Sequence, residues 1–507
     1  MKKGIQRKHR LPIVSTALCC LAILLGYALY FAAGWYIGTY GDIGFDSILY
    51  TLLSDLGGVQ SGLIASYLSD GLAPALLCTA LTCFLLFVRS KRRIVLMLFG
   101  KVRMRLFPFS QRFSVIVSCV LAAALFISGA VQVKLPDYIY FISQQSTIFE
   151  KQFVDPNSVQ ITFPQEKRNL IYIFMESMET TYLSTENGGA LDYDLTPELY
   201  TLAQENINFS QNDTVGGFQS VAGTGWTAAA LTAQTSGITL KAPPNLASNT
   251  YGEDSFLPGV TSLNDLLKQQ GYYQTLMVGS DASFGNRDQY FTQHGVDRIY
   301  DLFTARADGI VPQDRYVWWG MEDQYLYEYA KQELTEIAAG DAPFAFTMLT
   351  VDTHHIDGYK CELCGDDYDE QYENVIACAS RQLGAFIEWI QAQDFYANTT
   401  VVVCGDHLTM DSGYITRNVA EDYERHVYNC VIHSTVETDN SKNRVFTAVD
   451  MFPTTLAAMG CTIEGERLGL GTNLFSQVPT LAEEWGLEQL RDELSRSSDY
   501  YVKHFMF

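Results

Sequence analysis

Three uncharged runs constrain this chain more than any other feature: residues 11–41, 71–88 and 113–133 contain no Asp, Glu, Lys or Arg. A transmembrane helix needs roughly 17–25 predominantly apolar residues, and each run is long enough. Buried helices of globular domains rarely extend so far without a charge. The expectation is a multi-span α-helical membrane domain with three transmembrane helices over residues 1–133. Lysine and arginine set its orientation. Lys2, Lys3, Arg7, Lys8 and Arg10 precede the first run, eight further basic residues lie in 89–112, and 42–70 has none. Basic loops stay on the cytoplasmic side. The N-terminus and 89–112 are therefore expected inside, and 42–70 and everything after about residue 134 outside. The first run is too long for a cleaved signal peptide, and further spans follow it.

The charge balance divides at the same place. Residues 1–133 hold 13 Lys and Arg against four acids, whereas the rest hold 21 against 53, a net of −32. So acidic a region repels nucleic acid, and that class of partner is excluded. Between the first two runs, Phe45, Ile48, Leu49, Leu52, Leu53 and Leu56 fall on one helical face. This segment is expected to lie flat on the outer leaflet or to pack against the membrane helices. Residues 134–168 read as a linker. From 169 to 507, short β-rich runs (170–175, 275–279, 344–351, 400–404 and 428–432) alternate with helical patterns. That alternation predicts an α/β domain with a mostly parallel sheet between helices. Cys361, Cys364 and Cys378 cluster in a polar segment of this exterior domain. A disulfide from Cys378 to Cys361 or Cys364 is expected. A zinc knuckle is the rival reading, although a fourth ligand is lacking nearby.

Chemistry gathers at the carboxyl ends of strands in such sheets. Glu176 follows LIYIFM, Asp406 and His407 follow TTVVVCG, and His354 and His355 stand in TVDTHH after FAFTML. Any one of these is ordinary as a cap or surface group; three together point to a metal or acid–base site. A glycine-rich turn, Gly223 to Gly225, leads into AAALTAQ and places Thr227 near a helix N-terminus. Amide N–H groups and the helix dipole favour anions there. As bland readings, Thr227 or Thr224 is only an N-cap.

GTGWTAAALTAQTSGI, IFMES, GDH and TVDTHH, in this order, resemble the phosphoglycerol transferases of the alkaline phosphatase/sulfatase superfamily. That group includes the enzymes that decorate osmoregulated periplasmic glucans and the lipoteichoic acid synthases. The resemblance implies Glu176, Thr227, Asp406 and His407 as ligands of one divalent metal, with Thr227 also the nucleophile. It further implies Arg287 as a phosphate-binding residue and His354 and His355 as substrate-site residues. A largely oxygen donor set with one imidazole suits Mn²⁺, with Zn²⁺ or Mg²⁺ as alternatives. Gly285 departs from the lipoteichoic acid synthases, which carry tryptophan there, and this weakens the case for polymerisation. Sulfatases proper resemble Cys/Ser-x-Pro-x-Arg at the nucleophile, whereas this chain reads Thr227-Ala228-Ala229-Ala230-Leu231.

The implied activity is transfer of sn-glycerol 1-phosphate from phosphatidylglycerol to an extracytoplasmic glycan or glycolipid through a phospho-threonine. The implied location is a bacterial cell membrane, multi-pass, with the catalytic domain outside. The alternatives are phosphoethanolamine transfer by the same ligands, and an inactive glycan-binding or assembly protein.

Overall fold

The structure, a computed structural model, describes residues 2–41, 44–53, 61–88, 94–98, 102–107, 109–242, 255–315, 317–318 and 320–506. It divides into two compact units, Met1–Asp42 with Gln60–Asp137, and Ile43–Val59 with Tyr138–Phe507.

Among the described residues, the first unit contains three helical stretches long and apolar enough to cross a membrane: Ile13–Tyr40, Ile64–Phe87 and Gln111–Gln132. Leu18, Leu25, Leu77, Phe84, Ile116 and Val120 are exposed along them. Such surface is stable against lipid and costly against water. The first and third helices meet at small residues, as close approach in lipid favours. A Cβ on Gly129 would come within 3.2 Å of the Leu29 carbonyl oxygen and the Tyr30 Cα. Ile94–Leu98 and Val102–Phe107 pair as an antiparallel hairpin.

The second unit is built on a seven-stranded sheet. In chain order its strands are β1 (Asn169–Met175), β2 (Gly217–Phe218), β3 (Tyr273–Val278), β4 (Arg298–Tyr300), β5 (Phe344–Leu349), β6 (Thr399–Gly405) and β7 (Val427–Ile432). Their order across the sheet is β2-β7-β6-β1-β5-β3-β4. β6, β1, β5, β3 and β4 run parallel, and β7 is antiparallel to both β6 and β2. The central strands are apolar throughout because both faces are covered. On β1, Leu170, Tyr172 and Phe174 enter one core with Leu231, Leu266 and Leu456. Ile171, Ile173 and Met175 enter the other with Leu199, Leu326 and Phe386. The five expected strands are present. β2 and β4 escape a periodicity reading because they are two and three residues long.

Three local readings change. Residues 134–168, expected as a linker, contain the helices Leu135–Ile142 and Ile148–Gln152, and strand Ile161–Thr162 pairs with Thr462–Ile463. Ile148 and Phe149 are buried in the second unit's core, and from Tyr138 onward this stretch groups with that unit. The helix Phe45–Leu53 groups with the second unit, and Tyr50 is buried in that same core. Leu56 of its expected apolar face lies outside the described residues. Finally, Cys361, Cys364 and Cys378 are all unbonded, so the expected disulfide is not formed.

Candidate functional site

Parallel β1, β5 and β6 deliver their carboxyl ends to one edge of the sheet, where Glu176, the Thr350–His355 segment and Asp406 follow directly. Backbone groups lock these ends together. The Glu176 N–H donates to Thr350 Oγ1 at 3.0 Å. Ser177, at φ 54°, donates its N–H to Asp406 Oδ1 at 2.8 Å and its hydroxyl to Glu176 Oε1 at 2.8 Å. The His407 N–H also donates to Asp406 Oδ1, at 2.7 Å. Asp406 is thus aimed by two main-chain N–H groups, and Glu176 by the Ser177 hydroxyl.

Glu176, Asp406 and His407 are fully buried, and one ligand atom from each lies within 4.8 Å of the others. His407 Nε2 is 3.3 Å from Asp406 Oδ2 and 3.6 Å from Glu176 Oε1. His407 Nδ1 lies 2.8 Å from the Leu408 carbonyl, so its proton belongs there and Nε2 turns its lone pair to the carboxylates. Asp406 Oδ2 has no hydrogen-bond donor. A buried oxygen without a donor is costly unless a cation takes that place. Burial, then the charge of Glu176, pushes the Asp406 carboxyl up to about 7. Burial disfavours the charged His407 imidazole, yet Asp406 and Glu176 outweigh it and raise its pKa. The Asp406 shift reports burial first and the His407 shift a concentrated negative field, and this donor set fits a divalent ion.

Thr227 opens the helix Thr227–Ser236. Its Oγ1 is 3.4 Å from Glu176 Oε2 and 3.4 Å from His407 Nε2. The glycine turn before it is obligatory: Gly223 has φ +79°, and a Cβ there would lie 2.5 Å from the Leu240 carbonyl oxygen. Gln234 ties the helix to the sheet, donating to the Gly405 carbonyl at 3.1 Å and accepting from the Tyr172 hydroxyl at 2.9 Å. The structure therefore brings together Glu176, Thr227, Asp406 and His407.

Arg287 is buried at the start of a helix and donates to the Phe284 and Asp281 carbonyls and to Ser280 Oγ. Burial lowers its pKa, against the charges of Glu176 and Asp281. His354 donates from Nδ1 to the His355 carbonyl at 2.7 Å, which leaves Nε2 as its acceptor nitrogen. Burial first, with the nearby charges of His407 and Arg287, lowers its pKa to about 4, so it is neutral at pH 7. His355 is buried behind it, the two rings stacked at 4.3 Å. Arg287 and His354 thus share the electrostatic field of the cluster.

Several contributors are silent in the sequence. Ser177 and Ser280 act only through other side chains. Tyr50, far away in the chain, packs its ring at a tilt of 42° against that of Trp226, beside Thr227, with the centroids 5.5 Å apart. Glu179 forms a buried ion pair with Arg425 and accepts from the Thr409 N–H, holding the segment after His407. GDH and IFMES are visible as motifs; a lone serine or tyrosine has no pattern to find.

Residues 168–461 match the sulfatase family. Phosphoglycerol transferase I of Escherichia coli (strain 55989) is 29% identical over 377 residues, which is 72% of this chain and 45% of that protein. The namesake of Shigella boydii serotype 18 is 33% identical over 260 residues, 50% of this chain and 32% of that protein. This chain therefore spans less than half the length of the curated relatives it matches. Among solved structures, a protein in the alkaline phosphatase superfamily from Vibrio parahaemolyticus has a TM-score of 0.50 at 21% identity, covering 68% of this chain and 82% of that one. The integral membrane protein lipooligosaccharide phosphoethanolamine transferase A from Neisseria meningitidis also has a TM-score of 0.50, at 16% identity, covering 88% and 84%. Both are likenesses of fold. Because the family match spans well over half of the sequence and includes all four converging residues, this chain belongs to the sulfatase family.

Proposed function

We propose that this chain is a membrane phosphotransferase that moves sn-glycerol 1-phosphate from phosphatidylglycerol to a hydroxyl of an extracytoplasmic glycan or glycolipid. The observation that carries the reading is the Thr227 hydroxyl at a helix N-terminus, 3.4 Å from both a carboxylate and an imidazole of a metal-type cluster. The relatives named phosphoglycerol transferase I favour glycerol phosphate as the transferred group. Glu176, Thr227, Asp406 and His407 would hold one divalent ion, Mn²⁺ by preference, which neutralises phosphate charge when bound.

Thr227 Oγ1 bonds to phosphorus and gives up its proton. The bond to the diacylglycerol oxygen breaks, and that oxygen takes up a proton. A glycerophosphoryl-threonine remains. The acceptor hydroxyl then attacks phosphorus and loses its proton, and Thr227 regains one as its ester breaks. Arg287 holds phosphate oxygens with its planar fork. His354, neutral at pH 7, orients or deprotonates the acceptor, with His355 supporting its ring. Splitting the transfer in two lets a lipid donor and a hydrated acceptor use the site in turn.

Residues 89–112 are placed in the cytoplasm and 134–507 outside, on the asymmetry of basic residues. Reporter fusions at residues 100 and 160 should fall in opposite compartments. Intact-mass analysis after incubation with phosphatidylglycerol alone should show a glycerophosphate adduct on Thr227, absent in Thr227→Ala. Turnover retained by Thr227→Ala would end the proposal. An adduct carrying ethanolamine, formed from phosphatidylethanolamine, would keep the mechanism and replace the donor.

A further inference from the structure

Cys361, Cys364 and Cys378 form a second cluster, built from different residues than the candidate active site. Cys361 and Cys364 lie in the loop that follows His354 and His355, and Cys378 lies in the helix Gln371–Gln391. Cys361 Sγ is 3.7 Å from Cys364 Sγ and 3.9 Å from Cys378 Sγ. Cys361 and Cys378 are buried, and Cys364 is partly so.

These separations suit neither of the simpler readings. A disulfide needs about 2.05 Å between sulfurs, and it would join two of the three and leave the last in contact with the bridge. Three neutral thiols packed only for bulk have no reason to point their sulfurs at one centre. Tetrahedral zinc does supply that reason. With Zn–S bonds of about 2.3 Å, neighbouring thiolates sit about 3.8 Å apart. The two observed separations lie on either side of that value. The spacing agrees as well: Cys361-x-x-Cys364 is the two-ligand half of a zinc knuckle, with the Cys364 N–H folded back on the Cys361 carbonyl at 3.1 Å.

The surroundings favour thiolates. Gln382, one helical turn beyond Cys378, places its side-chain nitrogen 3.3 Å from Cys378 Sγ and 3.9 Å from Cys361 Sγ. An amide N–H donated to sulfur stabilises the anion that a metal requires. The partial exposure of Cys364 lets a water reach the fourth position.

We propose that Cys361, Cys364 and Cys378 bind one zinc ion, with water as fourth ligand, and that this ion clamps the loop after His354 to the helix Gln371–Gln391. Binding releases one proton from each thiol and oxidises nothing. The site is structural, and it stands whether or not the activity proposed above is correct.

The test is zinc content of the full chain purified in detergent without chelator or reductant, by inductively coupled plasma mass spectrometry. Asp406→Asn, which weakens the other cluster, should retain one zinc per chain. Adding Cys378→Ser should remove it. Zinc retained by the double variant, or absent from Asp406→Asn, overturns the proposal. If the double variant fails to fold, the wild-type protein still decides. A chelator should increase alkylation of all three cysteines at least tenfold, whereas a cross-linked peptide joining any two of them, found by mass spectrometry of the unreduced digest, refutes the site.

Discussion

The hydroxyl of Tyr50 donates a 2.7 Å hydrogen bond to the carbonyl of Gly285, two residues before Arg287. A residue from between the first two apolar runs thereby touches the segment that presents the candidate phosphate-binding arginine, while its ring packs near Trp226, which precedes Thr227. Gly285 has φ +67°, a conformation that most side chains would strain. A Cβ there would meet Ala228 Cβ, one residue after Thr227, at 3.4 Å.

Tyr50→Phe should keep the ring packing and lose one hydrogen bond. At about 0.5–1.5 kcal/mol for such a bond, transfer should fall roughly 2- to 12-fold. Tyr50→Leu should fall further, because the contact with Trp226 is lost as well. Steady-state kinetics with labelled phosphatidylglycerol measure both, and an unchanged melting temperature in Tyr50→Phe separates the effect from unfolding.

Arg287→Lys tests the planar fork. Lysine keeps a charge but cannot reproduce donation to Phe284, Asp281 and Ser280 together. A drop in kcat/KM of about tenfold or more is expected, since a charged hydrogen bond contributes about 1.5–3 kcal/mol. Ser280→Ala should show a smaller loss in the same direction.

Asp406→Asn should fold, because the side-chain oxygen can still accept from the Ser177 and His407 N–H groups. Its amide nitrogen replaces the oxygen that has no donor and cannot ligate a cation. Titration calorimetry with Mn²⁺ should show affinity reduced by about tenfold or more. Chelation should lower the melting temperature of the wild type more than that of Asp406→Asn, which has only the cysteine-bound ion to lose.

A buried acid pair behind the His354 loop gives a pH dependence. Asp323 accepts from the Val351 N–H at 2.8 Å, and neither oxygen of Asp352 has a donor. Burial pushes Asp323 up to about 7 and raises Asp352 as well, each aided by neighbouring negative charge. The folded chain therefore binds protons more tightly than the unfolded one between the ordinary carboxylate range and about pH 7. Stability from this source is complete below that ordinary range and is lost as pH rises through 7. The melting temperature should fall from pH 5.5 to pH 8, and Asp352→Asn should flatten the slope and gain on the order of 1–3 kcal/mol at pH 8. Thermal melts at fixed ionic strength decide it.

The readable parts of this protein were those with a period or a motif. The apolar runs, the five long strands and the strand-end groups Glu176, Asp406 and His407 each announce themselves over several consecutive residues. The helix holding Tyr50 was readable as amphipathic, but its partner was not. An apolar face records that something covers it, and Trp226, 176 positions away, leaves no trace nearby. Ile148 and Phe149 were lost in an apparent linker because a five-residue helix is too short to show periodicity. The cysteine cluster was located by spacing alone, yet spacing does not distinguish a bridge from three sulfurs about a common centre.

Every residue of the helix that follows Thr227 is buried, from Ala228 to Ser236, so it has no outward side. A rod gripped all round can neither roll nor slide without displacing its neighbours. Its aim is set by the small side chains along its shaft, four of which are alanines. Enlarging Ala229 or Ala233, which carry no chemistry, would therefore misdirect the hydroxyl at the tip. Tolerance to substitution along this segment is lowest among its least reactive members.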